Sequence, residues 1–406
     1  MSRVKIDVRC LKVDFDFPWQ TRVGGEKSLR QRNLKIVGPM IDKKEIGDIL
    51  SDYDEDNLTI GVLCSHSALQ LVHGAKREGF RTLGICLKER ERAYKSFPLA
   101  SPDEFLILSD FSEILKLEHQ RRMREENTVI LPHGSFVEYV GPRNLVDRFR
   151  VPMFGNRASL EWEGDRGKQR EWLKKAGVRV PKLYERPSKI DGKVFVKFAG
   201  AKGGRGFFVA DSKASFEEGL EKRIEDGKIS RQDAEKANIQ EFVPGVRYYP
   251  HYFYSLLDDR GAKVRGGAIE LLGMDRRIEP IDESYRGLPN VPSEFFDYTV
   301  TGNEPLVIRE KLLVDLIRMA TGVVETSKEL FPPGIIGPFC LETIYHPERG
   351  FTVFEISGRI VAGTNLYPEG SPYSPYLFEE PMSTGRRIAR EIKDGVKKGR
   401  LGEILY

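Results

Sequence analysis

One segment combines glycines with basic residues in a pattern that suits phosphate binding. The run Lys197-Phe-Ala-Gly-Ala-Lys-Gly-Gly-Arg-Gly206 lies between two segments with a β-strand pattern. Glycines let backbone N–H groups approach an anion closely, and lysine and arginine neutralise its charge. The run is neither a Walker A loop nor a dinucleotide-binding fingerprint. It predicts a flexible cover over a nucleotide; the alternative is a plain hairpin turn with solvated lysines.

Two glutamates near the end of the chain form a candidate metal site. Glu342 lies in the run GIIGPFCLETIY, Glu355 lies in FTVFEIS, and the intervening HPERG has strong turn-forming residues. If the hairpin centres on Glu348 and Arg349, the two glutamates are directly opposite and share one face of the sheet. Like charges on a partly buried face are costly unless a cation lies between them, and hard oxygen ligands suit Mg²⁺. In the alternative, one glutamate points outward to a lysine.

Further polar residues follow predicted strands. His66 comes directly after the first strand, and Ser135 follows the strand Thr128–Leu131. Because ligands of open α/β sheets bind at the carboxyl ends of strands, both residues are candidates for ligand contact. Arg359, two residues after the strand-end Ser357, is a candidate for contact with phosphate or a transferred group. The alternatives are that His66 is structural, that Ser135 is a loop N-cap, and that Arg359 lies in a turn capped by Ser357.

Composition excludes several classes of protein. The chain has 406 residues, a length that is enough for two or three domains. Of these residues, 40% are hydrophobic and 31% are charged, which is typical of globular proteins. Its net charge of +4 comes from 65 basic and 61 acidic residues and argues against a nucleic-acid or membrane-surface binder. The four cysteines form no CxxC pair and predict buried thiols in a reducing cytosol. Without a long apolar segment or a signal-peptide pattern, the sequence predicts a soluble cytoplasmic protein.

The elements that must position these residues change in character along the chain. Residues 40–151 alternate strands with helices, which predicts an α/β domain with a doubly wound parallel sheet. Its elements are the helix Ile41–Ser51, the strand Leu58–Cys64, a helix ending at Gly79, and the strands Arg81–Leu87, Glu104–Leu108 and Thr128–Leu131. Residues 1–39 fit no such pattern. They are either a genuine extension or the result of an upstream start codon chosen in place of Met40.

The second half predicts an α+β arrangement of mostly antiparallel strands. A helix at Lys168–Gly177 is followed by two strands within Val194–Ala210 and a polar helix at Ser215–Ala237. The helix Glu304–Glu329 interrupts a series of strands. These strands are Tyr248–Leu257, Ala262–Leu272, Ile336–Tyr345 and Phe351–Ile356.

Together these segments resemble a known family. GAKGGRG, the hinge-like IQEFV at 239–243 and the two glutamates look like an ATP-grasp ligase. More narrowly, SHSALQ, LPHGSFVEYVG, MFGNR, GIIGPFCLE and RIVAGTNLYPEGSPYS resemble the archaeal formate-dependent ligase of purine biosynthesis, from about Met40 to the C-terminus. The resemblance implies ATP-grasp architecture over 152–406, with a lid at about 180–245 and a metal-binding subdomain at about 246–406.

The same resemblance implies a reaction. Family members formylate 5-aminoimidazole-4-carboxamide ribonucleotide (AICAR), using ATP, formate and Mg²⁺ or Mn²⁺, and the route through formyl phosphate leads toward IMP. It also implies a homo-oligomer whose ligands are small molecules, not nucleic acid or membrane. Two alternatives stay open: a paralogous ligase for another acid or amine, and a non-catalytic nucleotide-binding regulator.

By position, the resemblance assigns roles to individual residues. His66, Ser135 and Asn303 match contacts to the ribonucleotide, although Asn303 otherwise suggests a helix N-cap. Glu342 and Glu355 match the metal ligands. The matches to the nucleotide cleft are Lys197, Lys202, Gly203, Gly204, Arg205, Gly206, Glu241, Phe242 and Val243. The candidates for catalysis, including the binding of formate or the acyl phosphate, are His66, Arg276, Arg277 and Arg359.

The sequence departs from the family pattern at two of these motifs. Ser357 stands two positions after the second metal carboxylate, where ATP-grasp enzymes usually have asparagine, so metal coordination there is expected to be weaker or completed by water. Cys64 stands where the family has glycine before the Ser-His pair.

Overall fold

The protein is described by a computed structural model that covers residues 41–198, 207–280 and 299–406. The predictions for the leader at 1–39 and for the glycine-rich loop, including Lys202, Gly203, Gly204, Arg205 and Gly206, lie outside these residues.

The first sheet confirms the parallel arrangement predicted for the N-terminal region. Its strands are β1 Thr59–Leu63, β2 Arg81–Leu87, β3 Glu104–Leu108 and β4 Thr128–Ile130, in the order β3-β2-β1-β4. The accompanying helices are α1 Lys43–Leu50, α2 Ala68–Arg77, α3 Glu91–Lys95, α4 Leu117–Glu125 and α5 Pro142–Asp147. All pairings are parallel, and β1 is buried along its whole length, which explains its continuous apolar sequence.

A second, antiparallel sheet follows the helices α6 Ala158–Gly164 and α7 Arg166–Lys175. It consists of β5 Leu183–Tyr184, β6 Val194–Lys197, β7 Phe208–Ala210 and β8 Asn238–Glu241, in the order β5-β8-β6-β7. The predicted single helix over Ser215–Ala237 is wrong, because two helices form, α8 Lys213–Glu225 and α9 Arg231–Ala234. Gly227, with a φ of +66°, lies between them in the left-handed region that ends helices.

The third sheet is antiparallel and carries most of the candidate site. Its strands are β9 Val246–Ser255, β10 Ala262–Val264, β11 Gly267–Ile278, β12 Gly302–Pro305, β13 Gly337–His346 and β14 Gly350–Ser357. The order is β10-β11-β9-β13-β14, and β12 pairs with β11. The single strand predicted over Ala262–Leu272 is instead a hairpin, because Gly266, with a φ of +77°, makes a turn between β10 and β11.

The predicted helix Glu304–Glu329 is also corrected by the structure. Its first residues form β12, which pairs antiparallel with the end of β11, and the helix α10 spans Leu313–Leu330. Asn303 therefore lies in a strand and not at a helix N-cap.

The last helices join the two halves of the described chain. They are α11 Thr384–Lys397 and α12 Leu401–Ile404. One hydrophobic core includes Val62 of β1, Phe253 of β9 and Ile388 of α11, so the first and third sheets share buried side chains. Cys64, Cys86 and Cys340 are buried free thiols, as predicted. Among the described residues, no helix is long and apolar enough to cross a bilayer.

Candidate active site

A cavity of about 710 Å³ opens beside the third sheet and brings together residues from all three sheets. The second sheet contributes Lys197, and the carboxyl edge of β1 contributes His66. The predicted site residues that line it are His66, Lys197, Glu241, Phe242, Val243, Arg277, Asn303, Glu342, Glu355 and Arg359.

The two glutamates are cross-strand partners, as predicted. Glu342 of β13 pairs directly with Glu355 of β14. The turn, however, centres on Glu348, and the register shifts by one residue between Glu342 and Thr343. Phe354 is the extra residue of this β-bulge; in a ladder of constant register Glu342 would face Phe354 instead of Glu355.

The two carboxylates have different partners, and their pKa values are shifted in opposite directions. Glu342 is 4% exposed and accepts two hydrogen bonds from Arg277, at 3.0 and 2.6 Å. Burial raises the pKa of Glu342, and Arg277 only partly opposes this. Glu355 lies 2.8 Å from the guanidinium of Arg166. Although burial alone would raise the pKa of Glu355, Arg166 and Lys197 hold it below its ordinary value.

This donor set fits a hard divalent cation. Within the described residues, no group of three or more His, Cys, Asp or Glu side chains converges to hold an ion. Two carboxylates supply fewer oxygens than Mg²⁺ takes, so an ion held by Glu342 and Glu355 would need further oxygen ligands from water or a bound phosphate. Ser357 lines the same cavity, which places its hydroxyl where such a water could be held.

Lys197 reaches the cavity from β6. Its ammonium lies 5.1 Å from the ring centroid of Phe354. Burial lowers the pKa of Lys197, while the charge of Glu355 opposes that change. Lys197 therefore provides a partly desolvated positive charge close to the glutamate pair.

The segment 241–243 follows β8 at the rim of the cavity. The carboxylate of Glu241 accepts a hydrogen bond from the backbone N–H of Lys182 at 3.0 Å, and the N–H of Phe242 donates to Lys193 O at 2.9 Å. These contacts fix the backbone of the segment. Among the described residues, no hydrogen bond is donated by the N–H of Val243, so this group is free for a ligand.

His66 occupies a strained position between β1 and α2. Its φ of +53° is in the left-handed region, which is unusual for a non-glycine residue and costly unless the surroundings impose it. Its ring stacks on His133 at a centroid distance of 5.4 Å, and Nδ1 lies 2.8 Å from Ser67 Oγ. The His66 side chain is exposed to the cavity, but desolvation by the surrounding protein, followed by the charge of Arg359, holds its pKa below its ordinary value. The imidazole that faces the cavity is therefore neutral.

Arg359 lies next to this imidazole. A Cβ placed on Gly134 would be 2.9 Å from His66 Nε2 and 3.3 Å from Arg359 Nη2, so both groups border on that glycine. Arg359 also pairs with Glu163 at 3.0 Å. The pairing fixes the guanidinium while leaving it in the lining of the cavity.

Two predicted site residues are not brought into the cavity lining. Ser135 is buried, and its backbone N–H donates to His133 Nδ1 at 3.3 Å. Arg276 pairs with Glu304 at 3.1 Å, directly across from it on β12. Because successive residues of a strand point to opposite faces, Arg277 faces the cavity and Arg276 does not.

Sequence reasoning missed several residues of the site. Arg166 opens α7 and contacts a glutamate 189 positions later in the chain, at a pairing that no local pattern signals. Arg247 and Glu279 form an ion pair in the cavity lining. His251 and Asp275 are buried beside Asn303. The sequence did contain one signal for these residues, which is the presence of charged residues within segments that have a β-strand pattern. A charge buried on a strand needs a partner, so such residues are candidates for a site.

A small antiparallel sheet, a larger antiparallel sheet with the carboxylate pair and a preceding parallel sheet together form the ATP-grasp architecture. Two family models match the chain: a protein of unknown function (DUF1246) over residues 60–184 and a domain of unknown function (DUF1297) over residues 215–406.

Similar proteins narrow this class. The chain is 54% identical to a 5-formaminoimidazole-4-carboxamide-1-(beta)-D-ribofuranosyl 5'-monophosphate synthetase of Korarchaeum cryptofilum, over 90% of this chain and 100% of the relative. The chain belongs to this family of synthetases, as its sequence motifs predict.

A solved structure agrees with this assignment. The IMP biosynthesis protein PurP from Thermococcus kodakaraensis is 30% identical, with a TM-score of 0.65, and the match covers 86% of this chain and 100% of that one. An ADP complex of PurK, an N5-carboxyaminoimidazole ribonucleotide synthetase, has a TM-score of 0.56 at 14% identity and covers 82% of this chain and 76% of that one. This second likeness concerns the fold alone.

Proposed function

We propose that this ligase formylates AICAR with ATP and formate, through formyl phosphate, on the route to IMP. The observation that supports the proposal is that one cavity is lined both by His66 and Asn303 and by the carboxylate pair Glu342 and Glu355. A purine precursor held at the first pair would have its amine close to the phosphoryl group held at the second.

The nucleotide side of the proposal rests on Lys197, Val243 and the glutamate pair. The free N–H of Val243 is suited to an adenine ring nitrogen, and Lys197 is suited to the phosphates. Glu342 and Glu355 would hold the Mg²⁺ or Mn²⁺ ion, which when bound neutralises charge on the phosphates.

The acid would be held by arginines. In the first step, a formate oxygen attacks the γ-phosphorus of ATP and ADP leaves, which gives formyl phosphate. Arg277 and Arg359 both line the cavity, and a guanidinium binds a small carboxylate or an acyl phosphate through two parallel N–H donors. Arg276, which pairs with Glu304 on the other face, is less suited to this role.

The amine side rests on the state of His66. In the tautomer with its proton on Nδ1, His66 donates to Ser67 Oγ at 2.8 Å, Ser67 Oγ donates to the carbonyl oxygen of Val361 at 3.5 Å, and the lone pair is on Nε2. A neutral Nε2 can take the proton that the AICAR amine loses when its nitrogen attacks the formyl carbon and expels phosphate. Because that amine is a weak nucleophile, positioning must supply much of the acceleration.

A substrate-omission assay tests the proposal. Purified protein is incubated with ATP, Mg²⁺, formate and AICAR, and ADP release is measured with each component left out in turn. We expect ADP release to require both formate and AICAR. Release with another acid or amine would favour a paralogous ligase, and nucleotide binding without any release would favour a regulator.

The setting of the reaction is part of the proposal. Free buried thiols at Cys64, Cys86 and Cys340 suit a reducing compartment, which supports a cytoplasmic location. The homo-oligomer implied by the family resemblance stays a prediction, and size-exclusion chromatography with light scattering would test it.

A further inference from the structure

A buried polar chain ends at Asn303 in the cavity wall. Asn303 Nδ2 donates to Asp275 Oδ2 at 2.7 Å, and the other oxygen of Asp275 lies 2.6 Å from His251 Nε2. Asp275 is 1% exposed and His251 is 2% exposed, so neither can exchange its partner for bulk water. Strand pairing builds this chain, because Asp275 and Arg277 share a face of β11 with Asn303 of the neighbouring β12.

The chain fixes which end of the Asn303 amide meets a ligand. A carboxylate only accepts hydrogen bonds, so Asp275 must face the NH₂ group of Asn303 and an N–H of His251. The oxygen of Asn303 is then directed away from Asp275. It accepts no hydrogen bond within the described residues, and Asn303 lines the cavity.

We propose that Asp275 is a positioning residue that holds the Asn303 carbonyl oxygen toward the substrate and so makes this site select a hydrogen-bond donor. The inference rests on the proposed function, in which the substrate edge at this site carries the amino and carboxamide NH₂ groups of AICAR. Both are donors of the kind that an amide oxygen recognises. A substrate group that can only accept hydrogen bonds would form none with this oxygen.

The surroundings of Asp275 leave it little freedom. A Cβ at Gly363 would lie 2.2 Å from Asp275 Oδ1, so the segment after β14 closes tightly over the carboxylate. The ring of Tyr367 packs edge-on against His251 at 6.3 Å. A carboxylate confined in this way holds Asn303 before the substrate arrives, which lowers the ordering cost of binding.

Asp275→Asn reverses the hydrogen-bond direction without changing the shape of the side chain. His251 Nδ1 is buried and has no hydrogen-bond partner within the described residues, so a proton moved there would lack an acceptor. The proton therefore stays on Nε2, and the new amide turns its oxygen to His251 and its NH₂ to Asn303. Asn303 must then turn its own oxygen inward and present NH₂ to the substrate. We expect the Kd for AICAR, measured by calorimetry with a non-hydrolysable ATP analogue present, to rise by about tenfold or more. The Kd of the ATP analogue should change less than about twofold.

The double variant Asp275→Asn/Asn303→Asp distinguishes positioning from a merely structural role. A carboxylate at 303 accepts from the new amide and still presents an oxygen to the substrate, so most of the lost AICAR affinity should return. Glu304→Gln is the matched control, because it removes a charge next to Asn303 on the opposite face, and its Kd for AICAR should stay near that of the unmodified protein.

Three results separate the possible failures. If the unmodified protein binds the ATP analogue but not AICAR, the proposed function is overturned, and the role of Asp275 that rests on it is overturned with it. If the unmodified protein binds AICAR and Asp275→Asn binds it equally well, the positioning role is overturned. The role is also overturned if the double variant binds no better than Asp275→Asn. The 4-carboxylate analogue of AICAR identifies the donor: equal loss for both compounds assigns the amino group, and loss for AICAR alone assigns the carboxamide.

Discussion

At the scale of single residues, the carboxylate pair is made asymmetric by its partners. Arg277 holds both oxygens of Glu342, whereas Glu355 has Arg166 on one side and the charge of Lys197 nearby. The pKa of Glu342 is raised and that of Glu355 is lowered, so Glu355 is the more readily ionised of the two. In the proposed site, Glu355 is therefore the stronger candidate for direct contact with a cation.

Glu355→Gln tests this assignment. The amide keeps the shape and an acceptor for Arg166 but loses the charge. Because partners outside the ligand shell of a metal already affect activity by about 10- to 100-fold, loss of a ligand should lower the rate of ADP release by more than that. Because the side chains of Arg166 and Glu355 are 59% and 26% exposed, solvent screens their pair, which should contribute no more than about 1 kcal/mol, and the thermal midpoint should change little.

Glu348→Gln is the control, because this residue lies in the turn between β13 and β14. Its activity should match that of the unmodified protein. Full activity of Glu355→Gln would refute the metal assignment.

The lowered pKa of His66 predicts an unusual pH dependence. An ordinary imidazole becomes half protonated near pH 6.5, and its function as a base declines below that pH. Since desolvation and Arg359 lower the pKa of His66, its neutral form persists to lower pH. The kcat/KM for AICAR should therefore stay constant from about pH 8 to about pH 6, without a one-proton decline near pH 6.5.

Arg359→Gln removes one cause of that shift, and Arg359→Lys keeps the charge. The ring resonances of His66, followed by NMR, should titrate at higher pH in Arg359→Gln than in Arg359→Lys. Equal titration in the two variants would show that the charge of Arg359 has no part in the shift.

At the scale of elements, the sequence predicted secondary structure most accurately where a single pattern, such as a continuous apolar run, extends over the whole segment. The strands β2 and β3 both have apolar runs, although only β2 is buried along most of its length, and both were predicted with their observed bounds. The pairing of Glu342 with Glu355 was also predicted, although from a symmetric turn. In the structure, the pairs next to the turn are shifted by one residue from the predicted register. The bulge at Phe354 compensates for this shift, so Glu342 still pairs with Glu355, and the turn sequence gives no sign of the bulge.

Short elements and long-range contacts were outside the reach of sequence patterns. The strand β12 has four residues and is defined by its pairing with β11, so the adjacent helical pattern concealed it. Arg276 and Arg277 are equivalent in the sequence, and only the direction of the strand separates them. Arg166 and Asp275 depend on partners in distant segments, to which periodicity gives no signal.

Gly363 and Gly47 provide a test of how closely the elements pack. Gly363 lies in the turn Ala362–Leu366 that covers Asp275, and an added Cβ would lie 2.2 Å from its carboxylate. Gly363→Ala should therefore lower the free energy of unfolding by about 1 to 3 kcal/mol and weaken AICAR binding. Gly47 is in α1 with no atom within 4 Å of the added Cβ, so Gly47→Ala should stabilise by about 0.5 to 1 kcal/mol. Urea denaturation of both variants measures the contrast, and equal effects would contradict the packing described at Gly363.

At the scale of the whole molecule, α11 holds together the two walls of the cavity. It approaches α2 closely, since the N–H of Gly385 donates to Gln70 Oε1 at 2.9 Å and Gly74 faces the backbone of Arg386. On the same helix, Arg387 reaches Glu270 of β11. The helix that contacts the His66 side thus also fixes the sheet that carries Arg277, Glu342 and Glu355.

Arg387 is the central link in this arrangement. It is fully buried, and its guanidinium donates to Glu270 at 2.9 Å and to Glu391 at 2.8 Å, while Ser255 Oγ also donates to Glu391. Arg387→Met would leave two buried carboxylates without their cation. Removing one partner of a buried ion pair costs about 3 to 5 kcal/mol, so the urea midpoint should fall clearly.

The exposed pair of Arg143 and Asp147 is the matched control, and Arg143→Met should cost no more than about 1 kcal/mol. Because α11 aligns the two walls, Arg387→Met should also raise the KM for AICAR more than the KM for ATP, whose proposed contacts all lie on the second and third sheets. An equal rise in both constants, with the expected loss of stability, would mean that Arg387 supports the fold without aligning the site.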